Sequence, residues 1–119
     1  MKESVLMERS MAFAVAIVSL VRELRQNHEY IIAPQIGRSG TSIGANLREA
    51  QYAQSKAAFI SKLQIALKEA NETCYWLELL NKTDCISAAR YDKLISQCNE
   101  LIRMLIASVK TAKRSDRYA

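Results

Sequence analysis

The sequence predicts an all-α fold, an antiparallel up-and-down four-helix bundle in which residues 1–119 form a single domain. Half of the residues are apolar but only 7% are aromatic, a mixture that suits helix packing better than a β-sandwich. Three glycines and one proline provide too few turn positions for a β fold. A length of 119 residues is that of one domain.

The first helix is predicted from about Ser4 to Asn27, with apolar residues in two rows at three- and four-residue steps. The first row predicts the core face: Leu6, Phe13, Ile17, Leu20 and Leu24. The second row lies about a quarter-turn away and predicts an oligomer interface: Met7, Met11, Ala14, Val18 and Val21. The alternative is a surface that carries scattered apolar residues, as many monomers do.

The second helix is predicted from Ile32 or Pro34 to Ala53 and contains all three glycines, Gly37, Gly40 and Gly44. A glycine costs a helix about 1 kcal/mol relative to alanine, so their shared face predicts close packing against a neighbouring helix. The segment 37–44 superficially resembles a phosphate-binding loop, but it lacks the Gly-Lys-Ser/Thr ending and a preceding strand. We therefore reject a nucleotide site there.

Ser55 is a predicted N-cap for the third helix, which extends to about Leu80. Ile65 and Trp76 lie outside its core seam and are predicted at the oligomer interface. Arg38 is expected to form a structural ion pair with a glutamate of the second or third helix: Glu49, Glu69 or Glu72. Glu69 and Glu72 are one turn apart, but two glutamates at this spacing indicate a charged face more often than an acid–base pair.

After a loop at 81–84, Ser87 is expected to cap the fourth helix, whose apolar seam ends at Ala112. Short connections between four long helices predict antiparallel neighbours. The longest apolar run, 11–18, is too short for a membrane span. An odd number of widely spaced cysteines predicts reduced thiols in a cytoplasmic protein, two of them in the core.

The net charge of +5 is uneven, with a basic tail at about 113–119. One interpretation is a solvated tail; the other is an arm for RNA or DNA. The predicted contacts are Arg22, Arg25, Lys110, Lys113, Arg114 and Arg117. Aromatic stacking positions are not evident, so binding is expected to be directed at the phosphate backbone. The single histidine and the absence of metal-ligand spacing argue against an enzyme, and no cofactor or metal is predicted.

The segment Ile36 to Ala50 closely resembles the signature of the four-helix-bundle proteins encoded in intervening sequences of bacterial 23S rRNA genes. Leu63 to Leu80 resembles the third helix of the same family. The resemblance implies a left-handed bundle, a homo-oligomeric ring that is usually a pentamer, and distant relatives that assist retroelement reverse transcriptases and bind nucleic acid.

Two functions follow as expectations from these observations. The first is a non-enzymatic ring that binds RNA or DNA or assists a nucleic-acid enzyme. The second is a protein–protein adaptor in which the positive charge only keeps the ring in solution. Salt-dependent binding to RNA separates the two.

Overall fold

Four long helices make up most of the described chain in the computed structural model, which describes residues 2–114 and their side chains from residue 5 onward. The helices are α1 (Lys2–Gln26), α2 (Ile32–Gln51), α3 (Lys56–Lys82) and α4 (Ala88–Arg114). The all-α four-helix prediction is therefore confirmed. The long axis of the bundle measures 50 Å, and its cross-section is 21 by 19 Å.

Contacts between neighbouring helices establish their antiparallel directions. Arg9 near the start of α1 pairs with Glu100 of α4 at 2.6 Å, whereas Glu23 near the end of α1 pairs with Arg90 at the start of α4. Each helix packs against the next one along the chain, and α4 closes the bundle against α1. The α1–α4 side has the least contact, and no loop joins these two helices.

The core follows the three- and four-residue spacing that the sequence predicts. The first row of α1 is fully enclosed, from Leu6 through Phe13, Ile17 and Leu20 to Leu24. The other helices contribute mainly aliphatic side chains and alanine: Ile36, Ile43, Leu63, Ala66, Ala70, Leu77, Leu80, Leu101 and Leu105. Burying a leucine or isoleucine side chain contributes about 1.5–3 kcal/mol, so the facing apolar stripes are the principal source of stability.

The α1–α2 contact is close because glycine leaves room for large side chains of α1. A Cβ atom placed on Gly40 would lie 2.9 Å from both Cγ atoms of Ile17. At Gly37 the nearest atom would be Cγ2 of Val21 at 3.3 Å, and at Gly44 it would be Oγ of Ser10 at 3.1 Å. The glycines therefore face α1 in the order that an antiparallel pair requires.

The helix ends are satisfied by polar groups, one of which the sequence analysis missed. Ser55 accepts a hydrogen bond from the N–H of Ala58 at 3.0 Å, so the predicted N-cap of α3 is present. The start of α2 is held by the Glu29 carboxylate, which accepts hydrogen bonds from the N–H groups of Ile31, Ile32 and Ala33. The sequence analysis predicts no cap for α2, although an acid before a helix is a recognised N-terminal signal.

Two loops reverse the chain without glycine. His28 and Asp84 adopt left-handed backbone conformations, with φ of 64° and 57°. In each case the N–H of the next residue reaches five residues back, from Glu29 to the Leu24 carbonyl and from Cys85 to that of Leu80. These are the hydrogen bonds of a Schellman helix end, in which histidine and aspartate replace the usual glycine.

The cysteines are free thiols, with Cys98 buried and Cys74 half-buried. The two Sγ atoms lie 3.1 Å apart across the α3–α4 contact, and the Cys98 thiol also donates to the Ala70 carbonyl. The hydrogen bond with Cys74, together with burial, raises the pKa of Cys98. Cys98 is therefore a protonated core thiol.

Within residues 2–114, every helix is too short or too polar over its length to cross a membrane.

We expect Gly40→Leu to lower the free energy of unfolding by at least about 1–3 kcal/mol, the usual cost of overpacking a core. Ile17 cannot yield easily, because it is branched at Cβ and has no exposed surface. Gly37→Ala is the matched control, since Val21 is only half-buried and alanine favours a helix. Urea denaturation should show a lower midpoint for Gly40→Leu alone. Equal midpoints would mean that Ile17 can move aside.

Candidate functional site

The net positive charge is concentrated at one end of the bundle. We call this the basic end and define it by its six cationic side chains: Arg48, Lys56, Lys62, Lys110, Lys113 and Arg114. Segment 47–63 carries three of them against one glutamate, for +2, and segment 107–114 carries the other three, for +3. The other 11 basic and 11 acidic residues of the chain cancel. These two segments therefore account for the whole net charge of +5.

The antiparallel topology brings the two segments together. The turn between α2 and α3 lies beside the carboxyl end of α4, where the Lys56 ammonium donates a hydrogen bond to the Lys113 carbonyl at 3.0 Å. Lys62 is partly neutralised by Glu49, 2.7 Å away. Residues 50–68 and 101–114 contain no acidic residue, and the start of α1, which reaches the same end, carries Glu8 next to Arg9.

The cationic residues predicted to bind nucleic acid do not form one site. Lys110, Lys113 and Arg114 are exposed at the basic end, whereas Arg22 and Arg25 lie in the last two turns of α1. That region of α1 lies beside Arg90, twenty residues before Lys110 on α4, which corresponds to about 30 Å of helix. The described residues of the predicted set therefore lie at opposite ends of the bundle. Arg117 lies outside the described residues.

An aromatic side chain is exposed at the basic end. Tyr52 ends α2 and is 80% exposed. No other aromatic ring of the described residues contacts it, whereas Tyr30 meets the His28 ring and Tyr75 meets the Trp76 ring. No aromatic stacking position is expected from the sequence, whereas the structure exposes the Tyr52 ring in the turn four residues before Lys56.

Arg38 connects α2 to α3 through two glutamates. Its guanidinium donates to Glu69 at 2.8 Å and to Glu72, and the Trp76 indole N–H donates to the same Glu72 carboxylate at 3.1 Å. The hydrogen bond from Trp76, followed by that from Arg38, lowers the pKa of Glu72. Glu69 and Glu72 are thus held as acceptors for Arg38. Glu49, the third expected partner, pairs with Lys62 instead.

The predicted oligomer interface on α1 is only partly exposed. Met7 and Val21 pack against the core of the bundle, and Ala14 is half-buried. The exposed row is instead Met11, Val15 and Val18, at 54, 63 and 39% exposure. Val15 was not among the predicted residues, although its spacing from Met11 and Val18 is helical. The exposed apolar row is therefore narrower than the predicted row and is rotated around the axis of α1 by a fraction of a turn.

The α3 residues of the predicted interface also differ from each other. Ile65 is 37% exposed. Trp76 is half-buried against the core and occupied by its hydrogen bond to Glu72. Only part of the indole is available to another molecule.

A shallow groove of about 210 Å³ follows the loosely packed α1–α4 side. It is lined by Ala16, Ser19, Arg90, Lys93, Leu94 and Gln97. The buried Oε1 atom of Gln97 has no hydrogen-bond partner. Among the described residues, no three His, Cys, Asp or Glu side chains are grouped so as to hold a metal ion.

Comparisons with known proteins agree on a single family. Residues 2–107 match the family described as 23S rRNA-intervening sequence protein. A crystal structure from Bacteroides thetaiotaomicron, described as a protein of unknown function from the S23 ribosomal protein family, is 50% identical in sequence with a TM-score of 0.90. The alignment covers 92% of this chain and 99% of that one. No curated protein matches the chain.

Acidification should test the Arg38 network. The pKa of Glu72 in the folded protein lies below its ordinary value of 4.5, so its ionised form stabilises the fold above that pH. This contribution is lost as the pH falls through the lowered pKa. Glu72→Gln should therefore flatten the loss of stability below about pH 4.5, measured by urea denaturation at several pH values.

Glu8→Gln removes an exposed carboxylate from α1 and leaves the Arg38 network intact. This variant should therefore lose stability on acidification as the wild type does. If both variants lose stability on acidification as the wild type does, the Arg38 network contributes nothing to the loss of stability at acid pH.

Proposed function

The chain belongs to the 23S rRNA-intervening sequence protein family, and we propose that it is a non-enzymatic protein that assembles into a ring and binds RNA or DNA through its basic end. One observation carries the proposal: the entire net charge of +5 is located at one end of an otherwise neutral bundle. Phosphate is the ligand that a cationic patch without a base-reading motif attracts.

The geometry of the basic end favours phosphate contacts over a purely solubilising role. Charge that served solubility alone could be spread over the surface, whereas here it surrounds one face about 20 Å across. In an antiparallel bundle, two helix amino ends and two carboxyl ends meet at each face, so the helix dipoles largely cancel there. The lysine and arginine side chains therefore set the sign of the potential.

Assembly into a ring is supported by where the exposed apolar residues lie. A closed ring needs two different patches on each subunit, one for each neighbour. Met11, Val15 and Val18 supply a patch on α1, and Ile65 with the edge of Trp76 supplies one on α3. These helices are diagonal in the bundle, so the two patches are separate surfaces. With bundles aligned along the ring axis, rotational symmetry would place every basic end on one face.

An adaptor role is the second candidate because the neutral end also exposes apolar surface. Ile31 is 80% exposed and Tyr30 is 58% exposed in the loop between α1 and α2. A protein partner could bury these side chains while the basic end served only solubility. This role replaces the first if the protein binds neither RNA nor DNA at low salt.

Charge reversal at each end of the bundle tests whether affinity for RNA depends on the basic end or only on the net charge of the protein. Lys110→Glu with Lys113→Glu should reduce affinity for RNA by at least an order of magnitude and reduce the salt slope, because each lost phosphate contact removes about 0.7–0.9 from it. The control is Arg22→Glu with Arg25→Glu, which changes the net charge equally, from +5 to +1. Fluorescence anisotropy at several salt concentrations measures both.

Equal losses in the two double variants would show that overall charge, and not the basic end, governs binding. Helical content measured by circular dichroism should remain that of the wild type in both.

If the protein forms a ring, its mass in solution should be well above the 13.4 kDa of one chain. Met11→Glu with Val18→Glu should shift the species seen by light scattering towards the monomer, because charges in the apolar patch would be desolvated on assembly. Ser96→Glu, on an exposed side of α4, should leave the mass unchanged. A wild-type protein that scatters as a monomer at micromolar concentration would exclude the ring.

A further inference from the structure

We propose that the basic end binds single-stranded nucleic acid, and that Tyr52 is the position on which an unpaired base stacks. The inference rests on the proposed function, because it identifies the form of nucleic acid that the same site would take. Tyr52 is the most exposed tyrosine of the described chain, at 80%.

The backbone holds Tyr52 in place while its ring remains in solvent. Its N–H donates to the Glu49 carbonyl at 3.1 Å, which continues the hydrogen bonding of α2 into the turn. The ring contributes little to the core at this exposure. A large aromatic side chain that is fixed at its backbone and open at its face is suited to stacking with an incoming planar group.

Cationic residues flank Tyr52 in the sequence. Arg48 lies one helical turn before Tyr52, and Lys56 begins α3 four residues after it. Lys56 in turn contacts the carboxyl end of α4 through the Lys113 carbonyl. A strand whose phosphates lie along these cations would bring its bases within reach of the Tyr52 ring. A cationic groove beside an aromatic ring is the usual arrangement of single-strand binders.

The exposed aromatic rings at the opposite end lack this setting. The hydroxyl of Tyr30 is hydrogen-bonded to Nδ1 of His28 at 3.1 Å, and its ring meets the histidine ring edge-on. Glu29 lies beside it in the sequence, and the charges of that end are balanced. Tyr30 is therefore a matched control, a tyrosine in a loop at the end of the bundle where acidic residues balance the cations.

A duplex offers no equivalent contact. Its bases are stacked on one another, so their faces are covered and a protein without a groove-reading element meets mainly phosphate. The ring of Tyr52 would then add nothing to binding. The difference between single strand and duplex isolates stacking from electrostatic attraction.

The test compares three variants of the full chain on two probes by fluorescence anisotropy at low salt. The probes are a labelled oligouridine and a labelled RNA duplex of the same strand length. Tyr52→Ala should weaken binding to oligouridine by roughly 5- to 150-fold, the range expected for one stacked base. Its duplex affinity should match the wild type, and the salt slope should stay unchanged because no charge is lost. Tyr52→Phe retains the ring and should bind oligouridine as the wild type does, as should Tyr30→Ala.

Three outcomes overturn the inference, and they are distinguishable. Wild-type oligouridine affinity in Tyr52→Ala excludes stacking but leaves the proposed function standing. An equal loss on both probes shows that Tyr52 shapes the basic end and does not stack. Absence of wild-type binding to either probe removes the proposed function and the inference together.

Discussion

The close approach of α1 to α2 is the constraint on which the rest of the bundle depends. Ile17 occupies the space that a side chain at Gly40 would need, and both residues are buried. Packing at this distance draws α1 towards α2 and away from α4, with which it has the least contact. The groove at Gln97 lies on this α1–α4 side, whereas Met11, Val15 and Val18 form an exposed row on the face of α1 away from the core.

Polar links reinforce the apolar core without replacing it. Arg38 joins α2 to α3 through Glu69 and Glu72, but half of its side chain is exposed. Ion pairs at such exposure contribute up to about 1 kcal/mol each, less than one buried leucine. These ion pairs mainly fix geometry, because the Arg38 guanidinium and the Trp76 indole hold the Glu72 carboxylate between them. The network therefore aligns α2 with α3 more than it stabilises them.

The functional proposals depend on topology more than on any single residue. Segments 47–63 and 107–114 are more than forty residues apart in the chain, and only the antiparallel return of each helix places them at the same end. The same topology separates Arg22 and Arg25 from Lys110 by about the length of a helix. A charged surface of this kind is assembled by the fold from residues that are unremarkable where they stand in the sequence.

The sequence alone determined the four helices, their core faces, the glycine face of α2 and the Ser55 cap, because apolar periodicity and capping are local properties of the chain. It also carried, at Ile36 to Ala50, the resemblance to the family whose match covers residues 2–107. Only the tertiary structure decided that Met7 and Val21 pack against the core and that the α2–α3 turn, with Tyr52, lies beside the carboxyl end of α4. Those outcomes depend on helix rotation and on which ends meet, which contacts between distant residues determine.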